Sequence, residues 1–107
     1  MAESDRPELP LACTLGAADG AERSRRWRQL AAEAAPVPRR TEGRLEIRYQ
    51  PGPGVLDELR ALVAAEAECC SFVAWAVIEQ AGDPTLIVSA PPDAPDRIEP
   101  IAAMFKV

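Results

Sequence analysis

The sequence predicts an α+β fold, a two-layer sandwich in which helices pack on a small, mainly antiparallel sheet in the order β-α-β-α-β-β-α. Three observations support this prediction. Apolar residues recur at helical spacing in two long segments, they alternate with charged residues in one short segment, and prolines and glycines separate these segments. With 107 residues, 48% of them hydrophobic, the chain can form one compact domain with an ordinary core.

The beginning of the chain predicts a tail followed by a short strand. Residues 1–10 are acidic and contain prolines, so we expect a flexible N-terminal tail there. Leu11 to Leu15 is expected to form a short strand. A single α+β domain is therefore expected over residues 11–107.

A helix and a second strand are expected next. Apolar residues at helical spacing predict a helix from about Ala17 to Ala34, which Pro36 and Pro38 end. Apolar and charged residues then alternate over residues 44–49, a pattern typical of a strand with one buried face. The Pro-Gly-Pro-Gly sequence of residues 51–54 ends this strand.

The second half of the chain contains the clearest helical pattern. An apolar stripe predicts a helix from about Val55 to Cys70. The segment from Phe72 to Ile78 is apolar on both faces, which predicts either a central strand covered on both sides or a strand at a dimer contact. A turn over residues 81–84 leads into a strand from Thr85 to Ser89, completing a hairpin, and a last helix is expected over residues 96–105.

Composition excludes several classes of function. A net charge of −5 argues against a general nucleic-acid binder, which needs a basic surface to release counterions from phosphates. There is no apolar run of about 18 residues for a membrane span, and the N-terminus lacks the basic and apolar regions of a secretory signal. An odd number of cysteines, two of them adjacent, fits a reducing compartment. We therefore expect a cytoplasmic protein without a nucleic-acid or membrane partner.

The adjacent cysteines Cys69 and Cys70 are the most informative feature of the chain. The only other cysteine is Cys13, and there is no histidine, so any nucleophile or soft-metal ligand here is a sulfur atom. Adjacent Cα atoms lie about 3.8 Å apart, whereas disulfides usually need about 4.4 to 6.8 Å, so the pair is expected to be two thiols. Thiolates select soft metals.

The cysteines therefore predict a site for a thiophilic ion such as mercury, arsenite, copper or zinc. Cys69 and Cys70 would be ligands, and Cys13 would be a third if its strand packs beside the end of the second helix. Two alternatives stay open. The chain could be a thiol redox enzyme in which one cysteine attacks and another resolves, or a non-catalytic interaction or oligomerisation domain whose cysteines belong to the core. A homodimer also stays open.

Other catalytic and metal-binding motifs are absent from the sequence. The cysteine spacing matches neither a zinc finger nor a C-x-x-C redox motif. The phosphate-binding, dinucleotide-binding and hydrolase motifs are missing, and no histidine can serve in catalysis. No catalytic residue is therefore assigned.

Glu66 and Arg23 are expected to support the cysteines. At about 100° per residue, helical winding places Glu66 in the apolar stripe of the second helix together with Cys70. A buried carboxylate is costly unless it is paired or hydrogen-bonded. Arg23 lies on the apolar stripe of the first helix and is a natural partner, with a positive charge that would favour a nearby thiolate. The alternative is that Arg23 lies at the edge of the core with its guanidinium in water.

Several short motifs resemble a known family. They are Cys13-Thr14-Leu15, Glu22-Arg23, Trp27, Glu66-x-x-Cys69-Cys70-x-Phe72 and Ala90-Pro91 before a helix that ends in Phe105. Over roughly residues 11 to 106 the chain resembles small bacterial proteins, mostly of unassigned function, with a C-[TA]-L … E-x-x-C-C-x-F pattern. Similar segments follow the DNA-binding part of regulators that resemble the mercury-responsive family.

The resemblance implies sensing or sequestration of a thiophilic metal. The chain departs from such regulators because it lacks their helix-turn-helix and long dimer helix, which argues against binding DNA. It also has Ser71 where many relatives have a proline after the cysteine pair.

Overall fold

The computed structural model describes the backbone of residues 17–105 and the side chains of residues 20–105. Its elements are α1 (Ala17–Ala34), β1 (Val37–Thr41), β2 (Arg44–Arg48), α2 (Val55–Cys69), β3 (Ala74–Gln80), β4 (Asp83–Ser89), a 3-10 turn (Pro95–Ile98) and α3 (Glu99–Met104). The predicted α+β class is confirmed. The predicted tail and the predicted strand from Leu11 to Leu15 lie outside the described residues, so the described order is α-β-β-α-β-β-α.

The sheet consists of two hairpins placed side by side. Its four described strands are antiparallel in the order β1-β2-β4-β3, so β2 and β4 are central. The predicted hairpin of β3 and β4 is confirmed. Its turn residues Ala81 and Gly82 both have positive φ, 54° and 86°, as a tight two-residue hairpin turn requires.

The strand β1 was not predicted. α1 ends at Ala34 as expected, but the chain then forms a strand after Pro36 instead of remaining irregular. All five side chains of β1 are exposed, so no alternation of buried and exposed residues marks the strand. Pro38 fits there because an edge strand can tolerate a residue without an N–H donor.

Of the two predictions for the segment from Phe72 to Ile78, the central strand is wrong for the described sheet, and the dimer contact stays a prediction. β3 lies at an edge and pairs only with β4 among the described strands. The central position belongs to β4, which buries Thr85, Leu86 and Val88. An apolar composition shows that a strand tolerates burial on both faces, but hydrogen-bond pairing decides its place in the sheet.

The core lies between the sheet and α2. α2 packs on β3 and β4, and α1 packs against α2. Leu59 and Leu62 of α2 are fully buried, as are Leu45 of β2 and Leu86 of β4, and each such side chain stabilises the fold by roughly 1.5–3 kcal/mol relative to exposure. Over residues 17–105, the structure contains no helix with the length and hydropathy needed to cross a bilayer.

Candidate functional site: a buried carboxylate beside two cysteines

Glu66 forms a polar centre between α1 and α2. Glu66 is only 4% exposed to solvent. Arg23 donates from Nε to Glu66 Oε2 at 2.9 Å and from Nη2 to Oε1 at 3.5 Å, and Trp27 donates from Nε1 to Oε2 at 2.9 Å. These charged and polar donors offset the cost of burying the carboxylate. Glu66 is buried as predicted, and Arg23 pairs with it, so the alternative of an Arg23 guanidinium in water does not hold.

Cys70 lies on the other side of the same carboxylate. Its Sγ donates to Glu66 Oε1 at 3.9 Å, as expected for residues four apart on one helix face. Its backbone N–H donates to the carbonyl of Glu66 at 2.6 Å, and its own carbonyl accepts a hydrogen bond of 3.0 Å from Trp75 Nε1. Both the side chain and the main chain of Cys70 are therefore held in place.

The two cysteines lie where α2 ends. Cys69 is the last helical residue, and Cys70 has left helical geometry with φ −120° and ψ 65°. Both are buried, with exposures of 7% for Cys69 and 0% for Cys70. The site is therefore shielded from bulk water, and an ion that binds both sulfur atoms would lie at the margin of the core.

Aromatic side chains enclose this region. The rings of Trp27 and Phe105 meet edge to face, with centroids 5.0 Å apart and planes at 89°. Trp27 and Trp75 are the only tryptophans in the chain, and each donates its indole N–H to the site. Trp75 was not predicted to belong to the site, although a half-buried tryptophan generally needs an acceptor for its N–H.

A second ion pair joins the same two helices. Arg26 donates to Glu58 from Nε and Nη2 at 2.9 and 2.8 Å, and the two side chains are 40% and 35% exposed. The hydrogen bond from Arg26 lowers the pKa of the Glu58 carboxyl, and the same bond raises the pKa of Arg26. Arg23 meets Glu66 and Arg26 meets Glu58, so α1 and α2 run antiparallel and the start of α1 lies beside the end of α2.

The structure thus brings together Arg23, Glu66 and Cys70, with Cys69 next in the chain. Cys13 lies outside the described residues. Among the residues that the structure describes, no group of three or more cysteine, aspartate or glutamate side chains is arranged to hold a metal ion. This part of the chain itself supplies two candidate sulfur ligands.

No protein-family model, no curated protein and no solved structure matches this chain. Function is therefore inferred from the chemistry of the site. The family resemblance of the sequence motifs stays a prediction.

Proposed function

We propose that this chain is a small thiolate module that binds a soft metal or metalloid ion, such as mercury, arsenite, copper or zinc, for sensing, sequestration or delivery. One observation carries the proposal. The Sγ of Cys70 meets a buried carboxylate fixed by Arg23 and Trp27, and Cys69 is its neighbour. A chain without histidine that carries two adjacent cysteines is suited to soft ions rather than hard ones.

Glu66 has a chemical role in this proposal. Sulfur binds metal ions as the thiolate, so binding at Cys70 releases the proton of its S–H group. Glu66 Oε1 accepts the hydrogen bond of that group and can accept its proton before the proton passes to solvent. Arg23 balances the charge of the carboxylate. Two thiolates then neutralise a divalent ion without leaving an uncompensated buried charge.

Cys13 is the proposed third ligand, and the helix arrangement supports its reach. Along α1, the rise from Arg23 back to Ala17 is about 9 Å, and along α2 the rise from Glu66 to Cys70 is about 6 Å in the same direction. Ala17 is therefore nearly level with the cysteine pair. Cys13 comes four residues earlier, within a maximum chain length of about 14 Å.

Native mass spectrometry of the reduced protein with mercury(II) or arsenite tests the proposal. We expect a one-to-one adduct with the parent and a loss of affinity by orders of magnitude for Cys69→Ser and Cys70→Ser. Ser71 follows the cysteine pair and is exposed, so Ser71→Ala is the matched control and should bind the ion like the parent. If both cysteine variants bind as the parent does, the proposal is wrong.

Cys13→Ser tests the third ligand separately. If Cys13 binds the ion, this change should convert the absorption spectrum of the mercury adduct from that of three sulfur ligands to that of two. An unchanged spectrum would remove Cys13 from the site and leave the vicinal pair as the ligands.

The burial of both thiols favours a second candidate function. Cys69 and Cys70 belong to the hydrophobic core cluster, as small apolar side chains would in a non-catalytic interaction domain. Absence of both a metal adduct and an intramolecular disulfide after mild oxidation would support that candidate. A reversible disulfide between Cys13 and one of the pair would instead support a thiol redox enzyme.

A further inference from the structure

The composition of β3 does not match its place in the described sheet. Its sequence, AWAVIEQ, carries one charge and has apolar residues on both faces, which is typical of a strand covered on both sides. Trp75 and Val77 face the helices in register with the buried Val88 and Leu86, whereas Ala76 and Ile78 lie on the opposite face. Among the described strands, β3 is hydrogen-bonded only to β4, so the other backbone edge of β3 is not paired with a described strand.

The two edge strands differ in how they are protected. β1 carries a proline and two arginines, which are features that natural proteins use to prevent an edge from pairing with another chain. β3 has no proline, lysine or arginine. It also pairs with β4 in one uninterrupted register from Ala74↔Ser89 to Gln80↔Asp83, without a bulge that would turn the edge away.

We propose that β3 pairs with β3 of a second copy of this chain, antiparallel about a two-fold axis, so that the two sheets form one continuous sheet. An isologous contact of this kind brings the same strand to both sides of the interface. Pairing centred on Val77 sets Glu79 opposite Trp75 of the partner subunit, so the only charged residue of β3 does not meet its own copy. β3 then becomes an interior strand with both of its backbone edges hydrogen-bonded, which removes the unprotected edge.

Two exposed large hydrophobic residues of the described sheet provide a matched pair of variants. Ile78 on β3 is 39% exposed and Val37 on β1 is 61% exposed. Both lie in the same row across the sheet, which runs from Val37 through Arg48 and Thr85 to Ile78. A lysine at either position adds the same charge to the same face of the sheet, but only one of the two lies on the proposed interface.

Sedimentation equilibrium of the metal-free, reduced chain across the micromolar range tests the inference. We expect a dimer whose dissociation constant rises about tenfold or more, a change of about 1.4 kcal/mol, in Ile78→Lys. Val37→Lys should dimerise like the parent. Ala76→Lys, at an exposed position of the same strand, should repeat the effect of Ile78→Lys if that variant fails to fold.

Hydrogen exchange measured at low and high protein concentration tests the geometry. The backbone amides of β3 should gain protection as the dimer forms, and those of β1 should not. A monomer at all concentrations would overturn the inference, as would equal weakening by Val37→Lys, which would indicate stacking of sheet faces. If the β3 amides that do not face β4 are already protected from exchange in a monomer, the inference is also overturned, because another segment of the same chain would then cover that edge.

Discussion

The two ion pairs between α1 and α2 use the same residue types in different surroundings. The side chains of Arg23 and Glu66 are 13% and 5% exposed, whereas those of Arg26 and Glu58 are 40% and 35% exposed. Arg26 alone supplies both hydrogen bonds to Glu58 described above. The buried carboxylate of Glu66 instead accepts from a guanidinium, an indole and a thiol.

This difference in exposure predicts that the two pairs contribute differently to stability. An exposed pair contributes about 0 to 1 kcal/mol and fastens two helices at little cost. A buried pair must offset the desolvation of both charges, and well-packed apolar residues in its place are often as stable or more so. Stability alone therefore does not account for Glu66, and its contact with Cys70 is the basis of the chemical role proposed above.

The largest expected effect is the loss of protein stability when the buried pair is broken. Glu66→Gln leaves the Arg23 guanidinium without its counter-charge, and we expect a loss of about 3 kcal/mol in the free energy of unfolding. The matched change Glu58→Gln should cost less than about 1 kcal/mol. Denaturant unfolding of the two variants measures both values. Equal losses would show that the burial contrast has no energetic consequence.

A smaller effect is expected at Trp27. Trp27→Phe keeps an aromatic ring against Phe105 but removes the N–H donor to the charged Glu66, at a cost of about 2 kcal/mol. Trp75→Phe removes a donor to a neutral carbonyl and should cost about 1 kcal/mol. Thermal unfolding of both variants checks this order. The reverse order would mean that the indole of Trp27 does little to stabilise the carboxylate.

The reactivity of the thiols tests the chemical role of Glu66 directly. Glu66→Gln removes a negative charge 3.9 Å from the Sγ of Cys70, so a thiolate should form more readily and alkylation should begin at lower pH. Glu58→Gln should leave the profile of alkylation against pH unchanged. Peptide mapping after alkylation identifies which cysteine reacts. A profile for Glu66→Gln that coincides with that of the parent would restrict Glu66 to a structural role.

The smallest expected effect is the pH dependence of the exposed pair. Arg26 lowers the pKa of Glu58 in the folded protein, so the stabilisation is present above the unfolded pKa of about 4.3 and is lost as pH falls through the lowered value. Because the Arg26 and Glu58 side chains are both more than a third exposed, we expect this pair to contribute only about a few tenths of a kcal/mol to the free energy of unfolding. The stability difference between parent and Glu58→Gln at pH 7 should disappear in acid and shrink in high salt.

α1, α2 and the burial of Glu66 could be predicted from the sequence because their signals are local, whereas the helix expected over residues 96–105 is a 3-10 turn over Pro95–Ile98 followed by α3 over Glu99–Met104. Helical winding alone places Glu66 among apolar residues, and the cost of a buried charge then requires a partner such as Arg23. α1 was predicted with its observed bounds, and α2 ends one residue earlier than expected. The edge position of β3 could not be predicted in this way, because strand order depends on pairing between distant segments.

The site was harder to predict than the helices. Trp75 belongs to a different element from Glu66, so no periodicity connects them, and its bond to the Cys70 carbonyl depends on the path of the loop between α2 and β3. Whether Cys13 joins the cysteine pair stays a prediction. Its position depends on tertiary contacts of the segment before α1, and such contacts have no signature in residue spacing.

The two indoles would give the proposed ion site an intrinsic fluorescence signal. Each tryptophan ring is hydrogen-bonded to a group that belongs to, or is adjacent to, the cysteine pair, and the chain has no other tryptophan to add background emission. A heavy ion held by the two sulfur atoms would therefore quench nearly all of the intrinsic fluorescence. Binding of the ion could then be followed in unlabelled protein. In Trp27→Phe the signal would come from Trp75 beside the Cys70 carbonyl, and in Trp75→Phe it would come from Trp27 beside the Glu66 carboxylate.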